Sequence, residues 1–151
     1  MELEEYVAEW YTYADRDLAT AEYLCGMYPQ PLEIICYHCQ QAAEKYLKAY
    51  LVFREGQEPP KTHDLTLLSI ECSKTESRFE NVGRACEMLT RYGVLPRYPT
   101  EIEVFENDMQ KALEYARQIR DVEPLAELRL RISRDDSKEK IANDNKSEET
   151  Q

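Results

Sequence analysis

The chain has 151 residues, which is enough for one domain with a hydrophobic core. Its 19 Lys and Arg residues against 30 Asp and Glu residues give a formal net charge of −11, which disfavours long-range attraction of a nucleic-acid backbone. The acidic N-terminus lacks the basic and apolar regions of a signal peptide, and no run approaches the roughly 18 apolar residues of a membrane span, so we expect no membrane segment.

Two long amphipathic helices are predicted at the start of the chain. The first covers about residues 2–26 and the second about 31–55, separated by a Tyr-Pro-Gln-Pro break and ended by Gly26 and Gly56. The apolar residues of each recur at steps of three and four, which is typical of one buried face. The two stripes are Leu3, Val7, Trp10, Ala14, Leu18, Ala21 and Cys25, and then Ile35, Cys39, Ala42, Tyr46, Ala49 and Phe53.

A second stripe on helix 2 is apolar at both ends and polar in the middle. Its polar members must find partners from protein, water or ligand, since they are flanked by core residues. This stripe contains Ile34, His38, Gln41, Lys45, Lys48 and Val52.

Shorter elements follow the second helix. Thr62 or Asp64 is expected to cap a helix at about 63–73, and Ser73 with Glu76 to form a capping box for a helix at about 76–92. Gly83 within that helix suggests a close approach of another helix. A capping box of Thr100 and Glu103 is expected to open a fifth helix at about 100–122, in which Asp108 shares a face with the apolar residues.

The end of the chain changes in composition. Pro124 is expected to end the ordered bundle, although Leu125 to Leu130 could add a turn. Residues 129–151 contain six basic and six acidic residues, so the whole net charge lies within residues 1–128. We predict an all-α, antiparallel up-down bundle of four or five helices over residues 1–128, followed by a disordered charged tail over 129–151.

The cysteines indicate a reducing compartment. An odd number of them at helical spacing, in a chain without an export signal, predicts free buried thiols and a cytoplasmic protein. Cys36 and Cys39, with His38 and His63, superficially offer metal ligands, but no second pair completes a tetrahedral site, so no metal is expected. The five are Cys25, Cys36, Cys39, Cys72 and Cys86.

Three segments carry a resemblance to a known family. They are QQAAEKYLKA on helix 2, PPKTHDL at the entry to helix 3, and the RYP loop before the last helix, and DRDLATAEYL of helix 1 adds to them. In this order and with these gaps they resemble the HEPN family of prokaryotic helical domains over roughly residues 6–121.

The resemblance implies a helical bundle that forms a homodimer and associates with a small minimal nucleotidyltransferase encoded nearby, as in toxin–antitoxin pairs. Family members are thought to bind nucleotides, and many act as RNases or toxins. The RNase members carry an Arg followed by His after four to six residues. Here the arginines that precede His38 and His63 are Arg16 and Arg54, at 22 and nine residues, so the motif is absent.

The candidate ligand site combines the polar stripe with these loops. The lysines offer point charges, Arg97 a bidentate phosphate contact, and His63 a donor at a helix N-terminus, while His38 and Gln41 would orient a nucleotide or other anion. In the alternative, the lysines pair with acids on helix 1 or helix 5, and Arg97 only fixes its loop. The candidate ligand-binding residues are Lys45, Lys48, His63, Arg97, His38 and Gln41.

The sequence thus predicts a non-catalytic accessory module, with a bound nucleotide as its one candidate cofactor. One alternative is an RNase toxin with an atypical site of His63, Arg97 and Lys45. Another is a purely structural subunit without a ligand.

Overall fold

In the computed structural model, which describes residues 2–95, 98 and 102–149, the secondary structure is helical. This agrees with the all-α prediction. The α-helices are α1 (Leu3–Leu24), α2 (Leu32–Glu55), α3 (Leu65–Thr75), α4 (Gly83–Leu89), α5 (Glu106–Asp121) and α6 (Glu123–Glu148). Short 3-10 helices, Ser77–Val82 and Thr90–Tyr92, flank α4. No described helix is long and apolar enough to cross a membrane.

Helix α2 forms the centre of the bundle. Its predicted apolar stripe is buried except at Phe53, which is half-buried, because α2 packs against α1, α3 and α5. Ile35, Tyr46 and Ala49 are fully inaccessible to solvent. The helix ends where Gly56 adopts a φ of 69° and its N–H donates to the Val52 carbonyl at 2.8 Å. That left-handed conformation favours glycine, as the sequence predicts.

Helices α1 and α2 run antiparallel. The Tyr6 hydroxyl donates to the Glu58 carboxylate just after α2, whereas Asp17, later in α1, contacts His38 near the start of α2. The predicted stripe of α1 is buried at its centre, including Val7, and Tyr11 adds to the core by donating its hydroxyl hydrogen to the Leu125 carbonyl at 2.8 Å.

The middle of the chain differs from the prediction in two ways. Asp64 caps α3 as expected, accepting from the backbone N–H of Thr66 at 2.9 Å. The Ser73–Glu76 capping box is wrong, because Ser73 lies inside α3 and Glu76 alone caps the following 3-10 helix by accepting from the Arg78 N–H. The predicted helix at 76–92 is therefore divided into 3-10, α and 3-10 segments.

Two further expectations fail nearby. A Cβ atom added to Gly83 would meet nothing within 4 Å, so this glycine does not mark a close approach of another helix. Helix α5 begins at Glu106 rather than near residue 100, with residues 102–105 outside any helix. The Asp108 carboxylate accepts from the Phe105 N–H at 3.0 Å and so satisfies a donor at the start of α5, whereas Thr100 lies outside the described residues.

The predicted boundary at residue 128 lies inside α6. Pro124 starts this helix instead of ending the bundle, since the first turn of a helix tolerates proline. Leu125, Leu128 and Ile132 recur at helical spacing and are buried, so the ordered bundle extends past residue 129. The segment predicted to be disordered is helical in the structure through Glu148.

Candidate functional site

The polar stripe of α2 divides into two clusters, each organised by one carboxylate. In the first, Asp17 of α1 contacts both His38 and Lys45. The His38 Nδ1 atom lies 3.0 Å from Asp17 Oδ1, and the Lys45 ammonium group donates to Asp17 Oδ2. Lys45 is therefore paired with an acid on helix 1, as the alternative interpretation predicts for the lysines.

The second cluster is organised by Glu44. Its carboxylate lies 3.5 Å from the Lys48 Nζ atom and 2.9 Å from the His63 Nδ1 atom. Glu44 and Lys48 are buried, with 5% and 6% of their surface exposed, whereas the His63 side chain is mostly exposed. Because Glu44 and Lys48 are four residues apart on one helix, their spacing could have revealed this pair from the sequence.

Two amides connect the second cluster to the start of α3. Gln41 donates to the Gln40 side-chain oxygen at 2.7 Å, and Gln40 donates to the His63 carbonyl at 3.0 Å. Gln40 is fully buried. A Cβ atom on Gly93 would lie only 3.3 Å from the Gln40 Nε2 atom, so a glycine at this position leaves room for the amide. Gln40 lies outside the polar stripe of helix 2 and was not predicted as a site residue, although its side chain holds His63 beside α2.

The predicted ligand residues are thus distributed over two networks. Lys48, His63 and Gln41 lie in the network of Glu44 and Gln40, and His38 and Lys45 lie in that of Asp17. Each of the two histidines and two lysines contacts a carboxylate. Arg97 lies outside the described residues.

A third cluster, outside the polar stripe, connects α1 to α6. Arg129 donates to both Asp15 oxygens, at 2.9 and 2.7 Å, and the Tyr46 hydroxyl donates to Asp15 Oδ1 at 2.5 Å. Burial alone would raise the Asp15 pKa, but the hydrogen bonds from Arg129 and Tyr46 outweigh it and hold the pKa below its usual 3.8. The ionised form of Asp15 therefore contributes to folding.

Replacement of Arg129 by alanine is expected to reduce the free energy of unfolding by about 1 kcal/mol at pH 7, a small value because both groups are partly solvated. Since the folded-state pKa of Asp15 is depressed, its contribution is present above the unfolded pKa and is lost as the pH falls through the folded pKa. The difference between wild type and variant should therefore shrink below about pH 4. Urea denaturation of both proteins at several pH values measures this difference in the free energy of unfolding. A difference that does not depend on pH would contradict the pairing of ionised Asp15 with Arg129.

The cysteines are poorly suited to nucleophilic or metal chemistry. Burial raises the pKa of Cys36 and of Cys86 to about 12, and it also raises the pKa values of Cys39 and Cys72. Buried thiols with raised pKa values remain protonated at neutral pH and resist reaction. The five cysteines are free, and four of them are buried as predicted, whereas Cys25 is only half-buried. The described residues form no group of His, Cys, Asp and Glu that could hold a metal ion.

An open groove lies between α1 and α2. One part, with a volume of about 250 Å³, is lined by Tyr6, Glu9, Trp10, Tyr13 and Lys45. A second part shares Tyr6 and continues over Leu3 to the loop after α2, where Gly56, Gln57 and Glu58 line it. We call these two parts together the α1 groove.

Large apolar side chains are exposed at two connections. Tyr23, Met27 and Tyr28 lie at the end of α1 and in the turn before α2, and Tyr28 is 96% exposed. Val94, Leu95, Tyr98 and Phe105 lie between α4 and α5, and Val94 is 81% exposed. Exposed apolar clusters of this kind are common at protein–protein interfaces.

Comparisons with known proteins agree with this architecture. A family model of the HEPN domain matches residues 7–126, so this chain belongs to the HEPN domain family. The crystal structure of TT1696 from Thermus thermophilus matches with a TM-score of 0.63 at 23% sequence identity, over 82% of this chain and 95% of TT1696. At that identity the likeness shows a shared fold. No curated protein matches the chain.

Proposed function

We propose that this chain is a non-catalytic HEPN-type accessory module, which self-associates and binds a second protein of the minimal-nucleotidyltransferase class in a toxin–antitoxin-like pair. The observation that carries the proposal is the set of large apolar side chains exposed at the α1–α2 and α4–α5 connections. The class of partner follows the family resemblance. Aromatic and aliphatic side chains of this size become energetically important when a partner excludes water from them.

The reading frame next to the gene is expected to encode a small nucleotidyltransferase, and co-expression of the full chain with that protein tests the proposal. We expect the two proteins to purify as one complex, which the Tyr28→Ser/Val94→Ser variant weakens by roughly tenfold or more. The matched control is Leu67→Ser, which removes a side chain that is 52% exposed on α3. Absence of a complex, or equal binding by all three proteins, would overturn the proposal.

Nucleotide binding at Lys45, Lys48, His63, Arg97, His38 and Gln41 stays a prediction, and the ion pairs define what it requires. At the lysines, a phosphate group competes with Asp17 for Lys45 and with Glu44 for Lys48, and each carboxylate repels the incoming anion. Calorimetric titration with ATP tests this site. A free ATP concentration of 100 times the dissociation constant should stabilise the fold by about 2.7 kcal/mol. No heat of binding and no thermal shift at millimolar ATP would rule out nucleotide binding at this site.

The atypical RNase site receives no support from the described contacts. His63 contacts Glu44 whereas Lys45 contacts Asp17, so these two candidates belong to separate clusters. Growth arrest on expression that His63→Ala abolishes would nevertheless favour the RNase over the accessory module.

A further inference from the structure

The last part of α6 is a helix without a buried face of its own. After Ile132 the side chains through Glu149 are exposed, apart from the half-buried Asp135. The segment is rich in Ser, Asn and Asp, which are weak helix formers, and most of the stability of a protein helix comes from the packing of an apolar face. A second surface packed against this segment would supply the missing stabilisation.

One face of this helix combines apolar and positive side chains. Leu130, Arg134, Lys138 and Ile141 recur at steps of four, four and three, which places them on one side of α6. Leu130 is 59% exposed and Ile141 is 62% exposed. Within the part of the chain that the structure describes, neither Arg134 nor Lys138 forms an ion pair. We call these four residues the α6 stripe.

The α1 groove has the complementary character. Its floor is aromatic, and its two acidic lining residues, Glu9 and Glu58, take part in no ion pair among the described residues. Glu58 accepts a hydrogen bond at 2.8 Å from the Tyr6 hydroxyl, which is an uncharged donor. Lys45, which also lines the groove, is neutralised by Asp17. Arg16, which lies over the Tyr13 ring, adds one positive charge at that end of the groove, so the two carboxylates still outnumber it. The groove therefore offers apolar rings beside net negative charge.

The dimensions of the two surfaces also agree. At about 1.5 Å per residue, the groove from Leu3 to Tyr13 is about 15 Å long, and the α6 stripe from Leu130 to Ile141 is about 16 Å long. Arginine and lysine side chains can also stack on aromatic rings, as Arg16 does on Tyr13 at 4.9 Å from the ring centroid.

The α6 helix of the same chain contacts a different side of α1. Its contacts are with Tyr11, Asp15 and Glu4, which lie on the face of α1 opposite Tyr6 and Tyr13 by helical geometry. The complementary stripe must therefore come from another molecule.

We propose that the α6 stripe of one copy docks into the α1 groove of a second copy, in a reciprocal arrangement that forms a homodimer. This inference names the surface for the self-association in the proposed function and rests on it. Arg134 and Lys138 lie beside Glu9 and Glu58 of the second copy, while Leu130 and Ile141 cover its aromatic rings. A twofold dimer buries both grooves and both helical extensions.

Sedimentation analysis of the full chain over a range of concentrations tests the arrangement. The Arg134→Glu/Lys138→Glu variant should weaken dimerisation by roughly tenfold or more, since it brings like charges together, and the Glu9→Arg/Glu58→Arg variant should do the same. Combining all four changes should restore the dimer, because the charges are then opposite again. The matched control is Lys111→Glu/Lys140→Glu, which makes the same charge change at exposed positions outside the stripe.

Each result has a definite meaning. Weakening by both charge reversals, recovery in the combined variant and a dimeric control support the docking. A dimer that the stripe variant leaves unchanged, or that the control weakens equally, overturns the docking but not the self-association. A wild-type chain that remains monomeric at every concentration overturns both. Circular dichroism of each variant verifies that the bundle is folded.

Discussion

Replacement of Glu44 by alanine is expected to reduce the free energy of unfolding by about 3–5 kcal/mol, because it leaves the buried Lys48 ammonium group without its carboxylate. A buried charge without a partner destabilises the fold by more than the intact ion pair stabilises it. His63 loses its contact with Glu44 as well, but its side chain is mostly exposed and water can replace that contact. Urea denaturation at pH 7 measures the loss.

The matched control removes both charges. A Glu44→Leu/Lys48→Met variant replaces the pair with apolar side chains of similar size and should lose less than about 1 kcal/mol. If the double variant is as unstable as Glu44→Ala, the loss comes from packing rather than from the unpaired charge. A loss below about 1 kcal/mol in Glu44→Ala itself would mean that water reaches Lys48.

The second large effect is expected at Phe79. This side chain is fully buried, and its ring meets that of Tyr50 edge-on with 4.6 Å between the ring centroids. Phe79→Ala should reduce the free energy of unfolding by about 3–5 kcal/mol, because it loses apolar burial and leaves a cavity between the 3-10 helix and α2.

The control for Phe79 is another phenylalanine. Phe105 is 61% exposed at the start of α5, so Phe105→Ala should change stability by less than about 0.5 kcal/mol. Comparable losses in the two variants would contradict the burial that the structure assigns to them. Thermal and urea denaturation of both proteins provide the comparison.

The two ion-pair clusters change the interpretation of the polar stripe. The sequence correctly indicates that these side chains need partners, because they lie among core residues. Asp17 and Glu44 meet that need within the chain itself. Ion pairing within the chain thus gives these side chains the partners that the alternative interpretation predicts, while anion binding at the stripe stays a prediction. The exposed apolar surfaces are therefore the better basis for a functional proposal.

Periodicity predicted the long helices well and the short ones poorly. Helices α1 and α2 have extended stripes and clear stop signals, so their observed bounds lie within two residues of the predicted ones. The Ser73–Glu76 pattern failed because a capping box is only a local option, and the serine side chain instead bonds to the Ser69 carbonyl inside α3. In α6 the high charge content led to a prediction of disorder after residue 128. The structure nevertheless buries Leu125, Leu128 and Ile132 of this helix against the rest of the bundle.

The order of residues along the chain is enough to predict the all-helical class, to carry the resemblance to the HEPN family and to show the lack of the Arg-x4-6-His motif. The helical class and the missing motif depend on composition and spacing, and the resemblance depends on the residues of the quoted segments, all of which the chain contains before it folds. Packing in three dimensions makes Asp17 and Glu44 the partners of the candidate cations, joins α6 to α1 through Arg129, and leaves particular aromatic side chains exposed. The contacts of Asp17 and Arg129 join residues that are distant in sequence, so only the geometry of the bundle selects them among the possible pairings. The Glu44–Lys48 pair is local and could have been predicted from its spacing, but its burial depends on the packed bundle.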